Sequence, residues 1–190
     1  ASRPFDRDRD GFVIAGGAAV LLLEAEPLAR QRGARIYGEI VGYGASSDSA
    51  DMVQPNADGV AGAMRVALAE AGMQHVDYIN PHATSTPSGD VAELDAIRSV
   101  FEDDIPTISA TKGLTGHSIA AISAQEAVFC LLMMRDGFVA ASANLNTPDA
   151  GYEDLPILRQ SQSTKIDTAL STSIGFGGTN AALLFRRGDL

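Results

Sequence analysis

Apolar positions along this chain fall into blocks, some with the period of a strand and some with that of a helix. Val13 to Leu23 is rich in Val, Ile and Leu with small residues between, which predicts a buried strand. Glu24 to Arg32 predicts a short helix stopped at Gly33. Arg35 to Tyr43 alternates in part and predicts a second strand. Ser46 to Asn56 is dominated by Ser, Asp, Asn and Pro, the composition of a loop. In Ala57 to Ala71 the residues Val60, Met64, Ala67, Leu68 and Ala71 recur at helical spacing, with Gly72 as the stop.

The second half continues the alternation. Val76 to Asn80 predicts a short strand that runs into Pro81-His82. Thr86 can cap a helix with Pro87 at its first position, carried on through Val91, Leu94, Ile97 and Phe101. Thr107 to Ala110 predicts a brief strand. Ser118 to Met134 predicts a helix apolar on nearly every face, and so a buried one. Ala169 to Ile174 and Ala181 to Arg186 predict two core strands joined by the turn Gly175-Phe176-Gly177-Gly178. No unit of 20 to 50 residues repeats. The pattern implies an α/β layered domain with a mixed sheet and helices packed on it.

Composition narrows the function classes. A chain of 190 residues is long enough for one domain with a sizeable core. Its net charge of −10 and its lack of a basic stripe argue against a nucleic-acid partner. The single cysteine excludes an internal disulfide and fits a reducing cytoplasm. No apolar run reaches the roughly 18 residues that a membrane span needs, so no membrane partner is expected. The chain opens without methionine or signal-peptide layout, which leads to the expectation that it starts inside a larger protein.

Several motifs imitate chemistry they do not carry. Asp6-Arg7-Asp8-Arg9-Asp10-Gly11 resembles the start of a calcium loop, but Gly17 stands where a bidentate Glu is needed, so a charged surface loop before a strand is the better reading. Gly116-His117-Ser118 resembles a hydrolase elbow, but all three histidines, His75, His82 and His117, precede the serine. The glycines around Phe176 precede a strand and lack the following Lys-Ser/Thr pair of a phosphate loop. Cys130 lies in an apolar helix, where a thiol is inert core filler. No metal site is expected.

Three segments place polar residues where packing alone would not. Asn80 to Asp90 sets a histidine and several hydroxyls between a strand end and a helix start, the usual position for α/β chemistry. Ser109 to Ser118, with Lys112 and His117, repeats that arrangement, and the Phe176 loop is the third. Glu126 sits mid-way along an apolar helix, where an unpaired carboxylate is costly. It requires a partner, and Lys112 or His117 are the nearest candidates.

Taken together, His82-Ala83-Thr84-Ser85-Thr86-Pro87-Ser88-Gly89-Asp90, Ser109-Ala110-Thr111-Lys112-Gly113-Leu114-Thr115-Gly116-His117-Ser118 and Gly175-Phe176-Gly177-Gly178-Thr179-Asn180 closely resemble the β-ketoacyl-acyl-carrier-protein synthases. The opening Arg3-Pro4-Phe5-Asp6 and Arg9-Asp10-Gly11-Phe12-Val13 resembles them too, so the likeness covers essentially the whole chain. Ser47-Asp48-Ser49-Ala50-Asp51-Met52-Val53 is most similar to the synthase I type. The chain departs from the family at Ala83, which replaces a common glycine. Gly16-Gly17-Ala18 stands where an acidic residue and glycines are frequent, and Ile174 takes a position often held by Phe, a change that bears on the acyl pocket.

The resemblance implies a thiolase-like fold made of two similar halves, with residues 1–190 as the C-terminal half. The nucleophilic cysteine belongs to the N-terminal half, which this chain lacks. The implied reaction is a decarboxylative Claisen condensation of acyl and malonyl carrier-protein thioesters in fatty acid biosynthesis. His82 and His117 would donate hydrogen bonds to the malonyl thioester oxygen, each such donor being worth about 3 kcal/mol. Lys112, held by Glu126, would keep both imidazoles neutral. Phe176, flanked by Gly175 and Gly177, would gate the acyl site and give its backbone N–H to the acyl-enzyme oxyanion. Thr84 and Thr86 would bond the phosphopantetheine arm, and Asp90 and Glu93 would brace the histidine loop.

No cofactor of its own is implied, because phosphopantetheine arrives on the carrier protein. The expected partners are acyl carrier protein, the other half of the enzyme and a second copy in a cytoplasmic homodimer. Two alternatives share these motifs: a polyketide-synthase ketosynthase and a non-catalytic partner half.

Overall fold

The computed structural model describes residues 1–48 and 51–188. Of the synthase-I-like stretch, Ser49 and Ala50 lie outside the described residues. The elements run α1 Glu26–Gln31, β1 Gly38–Ser47, α2 Ala57–Ala71, β2 Tyr78–Asn80, α3 Pro87–Phe101, β3 Thr107–Ile108, α4 Lys112–Thr115, a 3-10 turn Ile119–Ala121, α5 Ile122–Asp136, β4 Phe138–Val139, β5 Gln162–Ser163, β6 Thr168–Gly175 and β7 Thr179–Arg187. Five strands form one sheet in the order β1-β7-β6-β2-β3, and β4 pairs with β5 apart from it. β7 runs antiparallel to both its neighbours, β1 and β6, whereas β6, β2 and β3 run parallel. The sheet is mixed, as the sequence implies.

Helices cover both faces. On one, Val60, Met64, Ala67 and Leu68 of α2 and Leu94, Ile97 and Phe101 of α3 close over Ile79, Leu170 and Leu184. On the other, Ala127, Cys130, Met133 and Met134 of α5 meet Tyr78, Ala169 and Phe185. The central strand β6 therefore buries four consecutive residues, Ala169 to Thr172, on its two sides. Each fully buried Leu, Ile or Phe in these layers contributes roughly 1.5–3 kcal/mol.

Helix ends follow local chemistry. Asn56 accepts the Asp58 N–H at 2.9 Å to open α2, which ends at left-handed Gly72. Pro87 opens α3, but the expected Thr86 side-chain cap is absent. Its hydroxyl is instead 2.9 Å from that of Thr84.

The structure corrects the apolar segment at the start of the chain. Val13 to Leu23 forms no strand and joins no sheet beyond a bridge from Ile14 to His117. Val20 and Leu22 are 92% and 84% exposed, while Leu21 packs on the α5 side. A near-continuous apolar run predicts a strand covered on both faces, and only one face has a neighbour among the described residues. The preceding charged stretch is also less solvated than expected, and no strand follows it. Asp6 and Arg9 are buried: Asp6 accepts the N–H groups of Asp8, Asn146 and Thr147, and Arg9 pairs with Asp149 at 2.6 Å.

Other boundaries shift. The second strand runs from Gly38 to Ser47, so it takes two residues from the expected loop. β2 and β3 are shorter than expected. The helix expected from Ser118 begins at Ile122, after the 3-10 turn, and it is buried along one face only.

Candidate active site

β6, β2 and β3 are parallel neighbours, so their carboxyl ends share one edge of the sheet. β2 ends at Asn80 and leads to His82. β3 ends at Ile108 and leads to Lys112. β6 ends at Gly175 and leads to Phe176. The three polar segments singled out in the sequence thus converge on one edge, where ligands of open α/β sheets are bound.

The imidazoles of His82 and His117 lie 5.3 Å apart, edge to face at 85°, and both residues are buried. His117 also meets the ring of Phe12 edge-on at 4.9 Å. Its backbone is held by residues 13 and 15: the His117 N–H donates to Val13 O at 2.8 Å, and the Ala15 N–H donates to His117 O at 3.0 Å. The Ile119 N–H donates to His117 Nδ1 at 3.1 Å. That bond makes Nδ1 the acceptor and leaves Nε2 as the nitrogen that carries the proton. Ile119 makes this contact from a positive φ of 53°, a strained setting for a β-branched residue.

His82 is held through its backbone. Glu93 accepts the N–H groups of His82 and Ala83, each at 2.7 Å, and the Thr172 hydroxyl at 2.5 Å. Asp90 accepts the N–H groups of Phe5 and Ser85 at 2.8 and 2.9 Å. Arg9 lies 3.6 Å from Asp90 and donates to the carbonyls of Thr86 and Pro87. The two carboxylates therefore fasten the loop from His82 to Thr86 at both ends. Burial pushes both upward, Asp90 to about 7, against the hydrogen bonds they accept.

Lys112 and Glu126 form a fully buried ion pair, Nζ to Oε1 at 2.6 Å. The carboxylate's partner is thus the lysine, which lies on its own short helix α4. Burial pushes Glu126 up, and the ammonium pulls it back. The α4 backbone is pressed onto the chain at Ala143: a Cβ at Gly113 would meet Ala143 O at 2.4 Å. Asn144 Nδ2 donates to Gly113 O at 3.0 Å, which pins the same turn.

Electrostatics at the pair of rings favours neutral imidazole. Burial lowers His82 well below its ordinary value, and the Lys112 charge and then His117 add to the shift. His117 is lowered to about 4 by burial and by Lys112. Two neutral rings, each with an N–H to give, can stabilise developing negative charge on an oxygen placed between them. Among the described residues, no group of three or more His, Cys, Asp or Glu is placed to hold a metal ion.

Phe176 sits at the tip of the β6–β7 turn with its residue 72% exposed. Gly177 and Gly178 take left-handed φ values of 78° and 81°, which glycine alone adopts freely, and the Gly177 N–H donates to Met52 O at 2.9 Å. Thr84 and Thr86 are half-buried beside the histidine loop. Cys130 is fully buried and its thiol is pushed up by burial, in keeping with core filler. Sequence reasoning did not single out Thr172, Phe12 or Ile119. Phe12 carried a faint signal, an aromatic flanking the charged opening. Thr172 reaches Glu93 across 79 residues of sequence and left none.

Comparison with known proteins agrees with this arrangement. Residues 37–146 match the family described as beta-ketoacyl synthase, C-terminal domain. The chain is 51% identical over 188 residues to 3-oxoacyl-(acyl-carrier-protein) synthase 1 of Haemophilus influenzae, covering 98% of this chain and 46% of that protein. It therefore spans about half the length of such relatives. A beta-ketoacyl synthase from Burkholderia phymatum superimposes with a TM-score of 0.95 at 39% identity, over all of this chain and 47% of that one. A type II polyketide ketosynthase, solved in complex with its acyl carrier protein, gives 0.94 at 37%, over all of this chain and 48% of that one. The mixed sheet with helices on both faces is the thiolase-like fold that the resemblance implies. On these grounds the chain belongs to the β-ketoacyl synthase family, as part of its C-terminal domain.

Proposed function

We propose that this chain supplies the His-His-Lys side of the active site of a 3-oxoacyl-acyl-carrier-protein synthase of fatty acid biosynthesis, and that it is inactive alone. The observation that carries the reading is the edge-to-face pair His82–His117 beside a buried Lys112–Glu126 ion pair. The nucleophilic cysteine would come from an N-terminal half outside residues 1–190, and the only cysteine here is buried. A cysteine thiolate takes the acyl group from one carrier protein. Malonyl carrier protein then enters, and its carboxylate leaves as carbon dioxide. The electron pair of the broken bond moves onto the thioester as an enolate, whose oxygen receives N–H bonds from His82 and His117. The enolate carbon attacks the acyl-enzyme carbonyl, and the cysteine thiolate departs.

In this scheme Phe176 closes over the acyl chain and its N–H serves the acyl oxyanion. Thr84 and Thr86 face the phosphopantetheine arm. The partners are acyl carrier protein and a second copy of the complete enzyme, in the cytoplasm. Likeness to a polyketide ketosynthase supports a second reading with the same chemistry, but the higher identity to synthase 1 favours fatty acid synthesis.

The test is malonyl-carrier-protein decarboxylation by the full-length protein. His82→Ala, His117→Ala and Lys112→Ala should each lower its rate by about 100-fold or more. Unchanged rates would discard these roles.

A further inference from the structure

The polar interior behind Lys112 does not end at Glu126. Thr111 Oγ1 donates to Glu126 Oε1 at 3.2 Å, the same oxygen that holds the Lys112 ammonium. Asn80 Nδ2 donates to Thr111 Oγ1 at 3.4 Å and to the Tyr78 hydroxyl at 3.2 Å. The Tyr78 hydroxyl lies 3.1 Å from the Ser109 carbonyl oxygen and 2.9 Å from its Oγ. All of these residues are buried. Side chains from β2, the segment after β3, α4 and α5 thus form one continuous chain of hydrogen bonds.

Its direction is set by the Asn80 amide. Both amide hydrogens are used, one toward Tyr78 and one toward Thr111. Thr111 Oγ1 must then accept from Asn80, so its one proton points at Glu126. A donor fixed on that oxygen favours the carboxylate over the carboxylic acid and opposes the burial that pushes Glu126 up. Glu126 kept as an anion keeps the ammonium beside the two imidazoles.

We infer that Asn80 and Thr111 are positioning residues for Lys112, acting through Glu126. This rests on the role given to Lys112 above. A purely structural role would lower stability without moving the ionisation of Glu126, so the two are separable.

The experiment is steady-state malonyl decarboxylation across pH by the full-length protein. Thr111→Val removes the hydroxyl at nearly constant shape. It should lower kcat about tenfold, leave KM within about twofold, and move the acid limb of the profile to higher pH. Thr111→Ser, which keeps the hydroxyl, should recover most of the rate. Asn80→Asp, which turns the donor into an acceptor, should act in the same direction and carries the test if Thr111→Val does not fold. Lys112→Ala is the control. If it is inactive while Thr111→Val and Asn80→Asp keep kcat and an unshifted profile, this inference fails alone. Lower melting temperature with an unshifted profile also overturns it. If Lys112→Ala is itself fully active, the reading of the site fails first.

Discussion

Ala83 follows His82 at a φ of +36° with its methyl buried. Left-handed backbone costs an L-residue roughly 1–2 kcal/mol, and Glu93 holds Ala83 there through its N–H. Ala83→Gly would relieve that cost. It would also lose a buried methyl, about 0.8 kcal/mol, and add chain entropy to the unfolded state. These effects nearly cancel, so urea denaturation should place this variant within about 1 kcal/mol of the parent. Ala83→Val keeps the strain, adds β-branching and overfills the site. It should lose more than about 2 kcal/mol. Equal stability of the two variants would show that φ at this position does not matter.

The second argument at this scale concerns His117, whose folded-state value is lowered to about 4 from an ordinary value near 6.5. Between those values the unfolded chain binds the proton and the folded one does not. The stability that the neutral ring contributes is whole above about pH 6.5 and is lost as pH falls toward 4. Asp90, raised to about 7, acts the other way: its contribution is lost as pH rises from about 4 to 7. Because the two oppose each other in one window, overall stability is a poor readout. The imidazole itself is a clean one. Its carbon-bound proton shift should stay flat from pH 8 to 5 and move only near pH 4. A midpoint near 6.5 would mean that neither burial nor Lys112 governs the ring.

Elements differ in how much of them could be read beforehand. The extents of α2 and α3 are legible in the sequence, because the stop at Gly72 and the start at Pro87 are local signals. That Glu126 has a buried partner is legible too, since a carboxylate inside an apolar helix demands one, but the pattern leaves Lys112 and His117 both open and the fold selects Lys112. The segment from Val13 to Leu23 departs from its pattern because apolar spacing reports which side chains are apolar, not what lies over them. Thr172 and Phe12 escaped because only tertiary contacts bring them to the histidines. α4 shows what such contacts impose, as its four residues depend on Gly113 lying against Ala143. Gly113→Ala would set a methyl against a backbone carbonyl that has nowhere to go. It should cost about 1–3 kcal/mol and, by displacing Lys112, lower decarboxylation in the full-length protein more than the stability loss accounts for. Wild-type kcat together with wild-type stability would mean that α4 tolerates a shift.

At the scale of the molecule, the exposed apolar residues lie together. Val20, Leu22 and Leu23 border a groove of about 890 Å³ walled by α1, the start of β1 and the outer face of α5, where Val128, Leu131 and Leu132 stand. Soluble monomers seldom leave an apolar surface this continuous open to water. The chain spans about half of its relatives' length, and on the function proposed above the other half of the enzyme packs over this face. Residues 1–190 alone should therefore bind the apolar dye ANS strongly, and Val20→Glu with Leu22→Lys should weaken that binding. The full-length protein should bind little dye, and the same two substitutions should destabilise it, because burying the two charges costs more than their mutual attraction returns. Strong dye binding by both, unaffected by the substitutions, would mean that the groove is an open surface in the complete protein. The two-half reading would then need another interface. Weak binding by the isolated chain would show instead that its own residues close over Val20 and Leu22.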